Sequence, residues 1–277
     1  MTPHISVVFA AAGLAWVAAQ PGPSVLSDEP VPVGHANDNR APAGRLHDGV
    51  LRLDLEVRIG RWYPEADDGA SLTLPLLAEV GQPPQVPAPL IRVPVGTVLE
   101  VSVRNTLTDS TVVVRGLFAH PAGVPDSLIV APGQRAAIRF TAGVPGTYVY
   151  GAWAGRDTLG ENEQMTGALV VDSVGVRGDD RIFVMNIWGA PLGDTGYRNA
   201  VAINGKAWPY SERIHLTVGD TVHWRWVNGT IRNHPMHLHG FYFRIDSHGT
   251  FTADTVYAPG ARRLAVTENL LPFETMS

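Results

Sequence analysis

The chain has 277 residues and a formal net charge of -5, long enough for two ordinary domains and without the basic footprint of a nucleic-acid binder. It contains no cysteine, which excludes a disulfide framework, a thiolate metal site and a cysteine nucleophile within these residues. With 29 Gly, 22 Pro and only 17% charged residues, the composition favours many short strands joined by turns over a helical bundle.

The apolar run from Ile5 to Ala19 ends in small residues, Val17 and Ala19, and predicts a signal peptide over residues 1–19. Export to the periplasm or the extracellular space follows, and the run is too short to span a bilayer comfortably, so no membrane anchoring is expected. Residues 20–47 are Pro-rich and unpatterned, and read as a flexible linker. From Val50 to Ile59 apolar and polar residues alternate with the period of a half-buried strand. "TVLEVSVRNTL", "RAAIRFTA", "GTYVYGAW" and "GALVVDS" do the same. No stretch of the core shows a long apolar stripe at helical spacing, so the predicted fold is all-β, built of sandwiches or barrels.

An internal repeat organises these strands. Ile91 to Asn105, "IRVPVGTVLEVSVRN", and Ile214 to Asn228, "IHLTVGDTVHWRWVN", lie 123 residues apart. Each places Gly five and Asn fourteen residues after its first Ile, which predicts a strand, a tight turn at Gly96 or Gly219, and a second strand ending at an Asn-led loop. The expectation is two tandem β-sandwich domains, residues 48–173 and 179–277, divided near the polar turn residues of "DSVGVRGDD".

After Asn228 comes "GTIRNHPMHLHGFYF", which puts His234, His237 and His239 into six positions of a chain with 10 His in all. In a strand, His237 and His239 point to one face, within reach of one metal or of two neighbouring ones. Pro235 kinks the entry and turns His234 toward a separate site. Neutral imidazole suits Cu, Zn, Ni and Fe, with affinity peaking at Cu(II). Aligning Gly240 with Gly116 sets His237 and His239 opposite Val113 and Arg115, so the first copy has no such pair.

"HPMHLHGFYFRI" resembles the third copper-binding motif of the multicopper oxidases, the laccase-like enzymes built from plastocyanin-like cupredoxin domains with Greek-key topology. "PLIRVPVGTVLEVSVRN", "APGQRAAIRFTAGVPGTYVYGAW" and "MTGALVVDS" resemble the first domain of that family, and "AINGKAWP" and "YAPGARRLAVTENLLPFE" its last. The resemblance implies copper as cofactor, with His234 as a type 1 ligand and His237 and His239 as trinuclear ligands. In the family, electrons from a small-molecule reductant enter at type 1 copper and pass to a three-copper cluster, where dioxygen becomes water. Two-domain relatives commonly form trimers, which would bring His237 and His239 near Val113 and Arg115 of a neighbouring subunit.

The pattern departs from the family at several places. Val113, Val114, Arg115 and Gly116 stand where it has His-Trp-His-Gly, and Gly151 and Trp153 where it has a second His pair. Valine, glycine and tryptophan offer no metal-binding lone pair, and arginine is always charged and repels a copper ion. The chain closes on "PFETMS", about where the family begins the strand leading into its His-Cys-His motif, so a fragment is expected. Without cysteine the copper–thiolate bond of a type 1 site cannot form.

Other residues read as structural. His223 aligns with Glu100 in mid-strand, Trp224 and Trp226 share a packing face, and Met236 packs between ligands. His120 reads as a loop histidine, and Asp157, Glu161 and Glu163 as solvated loop acids. The functional expectation is a copper-binding, multicopper-oxidase-like protein, in complete form an oxidoreductase or electron-transfer protein. The alternatives are a non-catalytic copper-binding or carrier protein, or a structural cupredoxin module.

Overall fold

The computed structural model describes residues 30–121, 127–155, 163–176, 178–192 and 196–277. The signal-peptide reading, Asp157 and Glu161 lie outside them. Among the described residues no α-helix forms. The first half contributes β1 (Val33–Ala36), β2 (Arg45–His47), β3 (Val50–Trp62), β4 (Leu72–Glu79), β5 (Gln85–Val86) and β6 (Ile91–Pro94). It continues with β7 (Val98–Asn105), β8 (Val112–Arg115), β9 (Ser127–Val130), β10 (Arg135–Thr141), β11 (Gly146–Ala154) and β12 (Thr166–Asp172). The second half holds β13 (Arg181–Leu192), β14 (Gly196–Ile203), β15 (Trp224–Asn228), β16 (His234–His237) and β17 (Phe243–Ile245). It ends with β18 (Ser247–Gly249), β19 (Asp254–Val256), β20 (Arg263–Ala265), β21 (Thr267–Leu270) and β22 (Thr275–Met276).

Two sheets make the first sandwich, one ordered β1-β5-β4-β3-β7-β10 with β2 beside β3, the other β6-β12-β11-β8-β9. Alternation places Leu51, Leu53, Leu55 and Val57 of β3, and Leu99, Val101 and Val103 of β7, on the inner face. They pack against Ile91, Val112, Val114, Tyr148, Tyr150 and Leu169 of the facing sheet. One expectation is corrected here. Residues 20–47 are not linker throughout, because β1 pairs in parallel with β3 and β5 and β2 pairs with β3. Proline composition signals the lack of a helix, not the lack of a strand partner.

The second half is one sheet, β14-β13-β15-β22-β18-β19, and two separate pairs, β16–β21 and β17–β20. Its core joins Met185, Ile245, Leu270 and Met276, with Trp226, Met236 and Phe243 against them. The halves share more than a boundary. Every residue of β11 from Gly146 to Trp153 is buried, as is β12 from Thr166 to Val171. Val149, Ala168 and Val170 on the outer face join Ile182, Val184 and Val227 of the second half in one cluster. Residues 31–277 accordingly form a single compact unit.

Ion pairs fasten that contact. Arg92 of β6 donates to Asp172 at 2.7 and 2.8 Å and to Asp180 at 2.7 Å. Arg225 bonds Asp180 too and reaches Thr147 Oγ1 at 2.7 Å. Burial pushes the Asp180 carboxyl up, but the Arg225 and Arg92 guanidiniums outweigh it and hold the group below the usual carboxylate range.

The repeat is visible in the backbone. Gly96 and Gly219 both take positive φ, 85° and 102°, as their turns require. The Thr97 amide donates to Pro94 O at 3.2 Å, and the Asp220 amide to Thr217 O at 3.0 Å. Asn105 and Asn228 are both fully buried, and each Oδ1 accepts the amide two residues on, Leu107 or Thr230, at 3.0 Å. Their Nδ2 groups hold the loop carbonyls, Ser110 at 2.8 Å and Arg232 at 2.7 Å. One part of the expectation does not hold: residues 214–223, the counterpart of β6, form no strand.

Candidate metal centre

The loop held by Asn228 delivers the chain into β16, which pairs antiparallel with β21 from His234–Leu270 to His237–Thr267. Strand alternation puts His234 and Met236 on one face and His237 on the other. His234 is half-buried and its Nε2 lies 2.9 Å from Thr230 Oγ1. Burial, with the nearby Arg232 charge, depresses its pKa and disfavours the charged ring. Met236 packs among Met185, Ile245, Leu270 and Met276, the packing role expected of it.

His237 and His239 come together at the surface. Their ring centroids are 4.6 Å apart with planes at 79°. His237 Nδ1 lies 2.7 Å from Thr267 Oγ1 across the strand pair. In the tautomer whose Nδ1–H donates to the hydroxyl, Nε2 carries the free lone pair, the arrangement by which an outer partner orients a ligating histidine. At metal–nitrogen bonds of about 2.0 Å, two imidazoles set at right angles on one metal have centroids about 4.5 Å apart. A centroid separation of 4.6 Å is short enough for one metal to reach both rings, and imidazole is a donor that suits copper. The three histidines do not converge: among the described residues no group of three or more His, Cys, Asp or Glu side chains could hold a metal.

The corresponding surface of the first half is closed to metal. The β8–β11 register sets Val113 opposite Trp153 and Arg115 opposite Gly151, so the four positions that the family resemblance marks for ligands lie side by side. Arg115 places its guanidinium 5.8 Å from the centre of the Trp153 ring, a cation–π contact. The edge of that ring meets Phe273 of the second half at 5.9 Å.

Trp224 and Trp226 meet each other at 6.3 Å and flank Phe183, so they pack as expected. His223 is exposed just ahead of β15 rather than within a strand. His120 is the loop histidine expected of it, but a buried one. It is 3% exposed, stacked on Tyr148 at 3.9 Å and beside Phe118 at 4.4 Å. Burial drives its pKa down to about 4. Glu163 is not solvated but fully buried, where its amide donates to Ile187 O at 3.1 Å. Sequence reasoning passed over Thr267, a residue 30 positions from His237 whose role depends on strand pairing. It also passed over the exposed Phe241 and Tyr242 directly after the motif.

Residues 185–268 match the family model described as multicopper oxidase. The chain is 31% identical over 189 residues to a probable nitrite reductase-hydroxylamine oxidoreductase fusion protein of Kuenenia stuttgartiensis. That match takes in 58% of this chain and 21% of the relative, so the chain spans about a fifth of its length. Among solved structures, the multicopper oxidase mgLAC superposes with a TM-score of 0.61 at 19% identity, over 81% of this chain and 74% of that one. The blue copper oxidase of Nitrosomonas europaea gives 0.60 at 22% identity, over 81% and 73%. The copper nitrite reductase of Nitrosomonas europaea gives 0.55 at 17% identity, over 82% and 83%. The resemblance to the multicopper oxidases is therefore real. The fold is the all-β cupredoxin type, and the family implies copper. Among the described residues no helix is long and apolar enough to cross a membrane.

Proposed function

We propose that this is an exported copper-binding protein of the multicopper-oxidase type that holds copper through Nε2 of His237 and His239 and does not itself reduce dioxygen to water. The observation that carries the reading is the exposed imidazole pair, 4.6 Å apart at their centroids, with His237 anchored by Thr267. Bound copper supplies one-electron exchange between its two oxidation states. The protein's share is to orient His237 through Thr267, to keep the neighbouring ring beside it, and to leave both open to solvent. A small-molecule reductant fits such an open site as the electron donor. His234, half-buried and bonded to Thr230 on the opposite face, stays outside this centre. The closed first-half surface, with Arg115 over Trp153, argues against a three-copper cluster and favours electron transfer or copper carriage. Two readings, an electron-transfer protein and a carrier, share the same centre.

Protein recovered from the exported fraction and dialysed should retain Cu(II) with a nitrogen-rich type 2 EPR signal. The signal should vanish in the His237→Ala/His239→Ala variant. Copper at background in both proteins would overturn the reading and leave a structural cupredoxin module.

A further inference from the structure

We infer that residues 37–40, which follow β1, act as a strap that ties the 204–212 loop of the second half to the first sandwich and so holds one wall of an aromatic groove. The strap opens and closes apart from the buried β11–β12 sheet, as a local device rather than as part of the common core. The inference makes no use of the copper-binding reading.

β1 seats the strap on the first sandwich. The Asn37 amide donates to Val86 O at 2.8 Å, and Asn37 Nδ2 donates to Ala88 O at 3.0 Å. Asn39 Nδ2 then donates to Asn204 Oδ1 at 2.9 Å, across 165 positions of sequence. Asn204 passes the contact on, because its Oδ1 also accepts the Val184 amide at 2.9 Å and its Nδ2 donates to Ile182 O at 2.9 Å. Asn37, Asn39 and Asn204 are 8%, 4% and 7% exposed, so a lost bond leaves a buried group unpaired. Asn39 and Asn204 take φ of 55° and 51°, the left-handed region that Asn and Asp tolerate. Gly205 lies so close to the strap that a Cβ there would meet Val86 O at 2.0 Å and Ala36 Cα at 2.9 Å. Outside this buried trio, Arg40 reaches Glu212 at 3.0 Å, and Arg181 pairs with the same carboxylate. Lys206 Nζ donates to Tyr63 O at 3.0 Å, Glu65 O at 2.7 Å and Asp67 at 2.6 Å.

The two junctions between the halves differ in kind. The β11–β12 junction is apolar, built on Val149, Ala168 and Val170, and such side chains part only together. The strap is made of hydrogen bonds between loops and of ion pairs at the surface, where the Arg40 and Asp67 side chains are 57% and 94% exposed. Segments held in that way open at lower free energy than core strands do. The loop that the strap holds ends in Ser211, Glu212 and Ile214, which line the groove together with Trp224 and Met236. Release of the strap therefore moves this wall, and its closure fixes it.

Amide hydrogen exchange of the full chain tests this at Asn204, Ala207 and Tyr210, whose amides donate to Val184, Pro64 and Ala207 carbonyls. Asn39→Asp keeps the backbone preference and the acceptor for Asn37 Nδ2, but turns the donor facing Asn204 into an acceptor. Exchange at the three amides should rise about tenfold or more, with β3 and β11 unchanged. Hydroxyl-radical footprinting of the same variant should show Trp224 and Met236 reacting about twofold faster or more. Arg40→Ala, at an exposed position, should raise exchange at Tyr210 about twofold at low salt. Arg52→Ala breaks an exposed pair with Glu100 on the first sandwich and should change none of these readings. Unchanged exchange in Asn39→Asp overturns the strap, and an equal rise in β11 overturns its independence. An opened loop with Trp224 and Met236 unchanged overturns its hold on the groove. If Asn39→Asp does not fold, Arg40→Ala decides the matter, and no rise at Tyr210 overturns the inference.

Discussion

Ile91–Asn105 and Ile214–Asn228 share a turn hydrogen bond, a positive-φ glycine and a loop held by a buried asparagine, yet they live in different surroundings. Ile91 and Val93 are 0% exposed, whereas Ile214 and Leu216 are 37% and 53% exposed. The difference lies in the neighbours. β6 is paired with β12, and β8 is flanked by β9 and β11. Among the described residues, 214–223 pair with no strand and β16 pairs with β21 alone. β22 pairs with β15 at Trp226–Met276 and Val227–Thr275, while β10 covers β7 from Arg104 to Val98. The first sandwich packs one continuous cluster of buried side chains, whereas the second half has a groove of about 1060 Å³ lined by Phe183, Trp224, Trp226 and Met236. The local plan sets the turns; the burial is set by whatever strands arrive alongside.

The contrast can be broken most directly with paired truncations. Ile91→Ala should cost about 2–5 kcal/mol of unfolding free energy, the range for a buried large-to-small change. Ile214→Ala should stay within about 1 kcal/mol. Urea midpoints measure both, and equal losses would mean that the second stretch is covered after all.

Acid separates the halves next. The first sandwich buries His120, while the second half leaves His237 and His239 open. The unfolded chain binds a proton at His120 near 6.5 and the folded chain only near 4, because burial penalises the imidazolium. The associated stability is fully present above about pH 6.5 and is lost as pH falls toward 4, about 3 kcal/mol in all. His120→Phe should flatten that part of the stability–pH curve. An unchanged curve would show that His120 titrates freely.

The smallest effect sharpens the likeness rather than the difference. Asn105→Ala and Asn228→Ala each strip buried carbonyls of their donors and should cost about 1–3 kcal/mol apiece. Similar losses would show that the Asn-held loop is equally firm in the closed and the open half. A much smaller loss at Asn228 would show that the open half carries its loop loosely.

The strands and turns were legible because their causes are local. Alternation from Val50 to Ile59 marks β3, and the Gly and Asn spacing marks the two turns and the two held loops. His237 and His239 do lie side by side, with ring centroids 4.6 Å apart, although β16 ends at His237 and His239 stands in the turn beyond it. What was not legible depends on distant partners. Proline composition hid β1, which owes its place to β3 and β5. Alternation marks Ile214, Leu216 and Val218 as amphipathic but cannot say what covers them. His120 stands beside a proline in the sequence like a loop residue, yet Phe118 and Tyr148 close over it. Thr267 gains its meaning from the β16–β21 register alone.

The sheet with β11 and β12 at its centre, buried on both faces, carries a consequence for the order of events during synthesis. It is a party wall: one side closes the first sandwich, and the other is the floor on which β13 and β15 settle. The N-terminal half leaves the ribosome first and can complete its own interior from residues already made. The C-terminal half arrives to a finished floor and borrows it, so the strand that carries His234 and His237 is assembled after the first sandwich and on the more dependent half of the molecule.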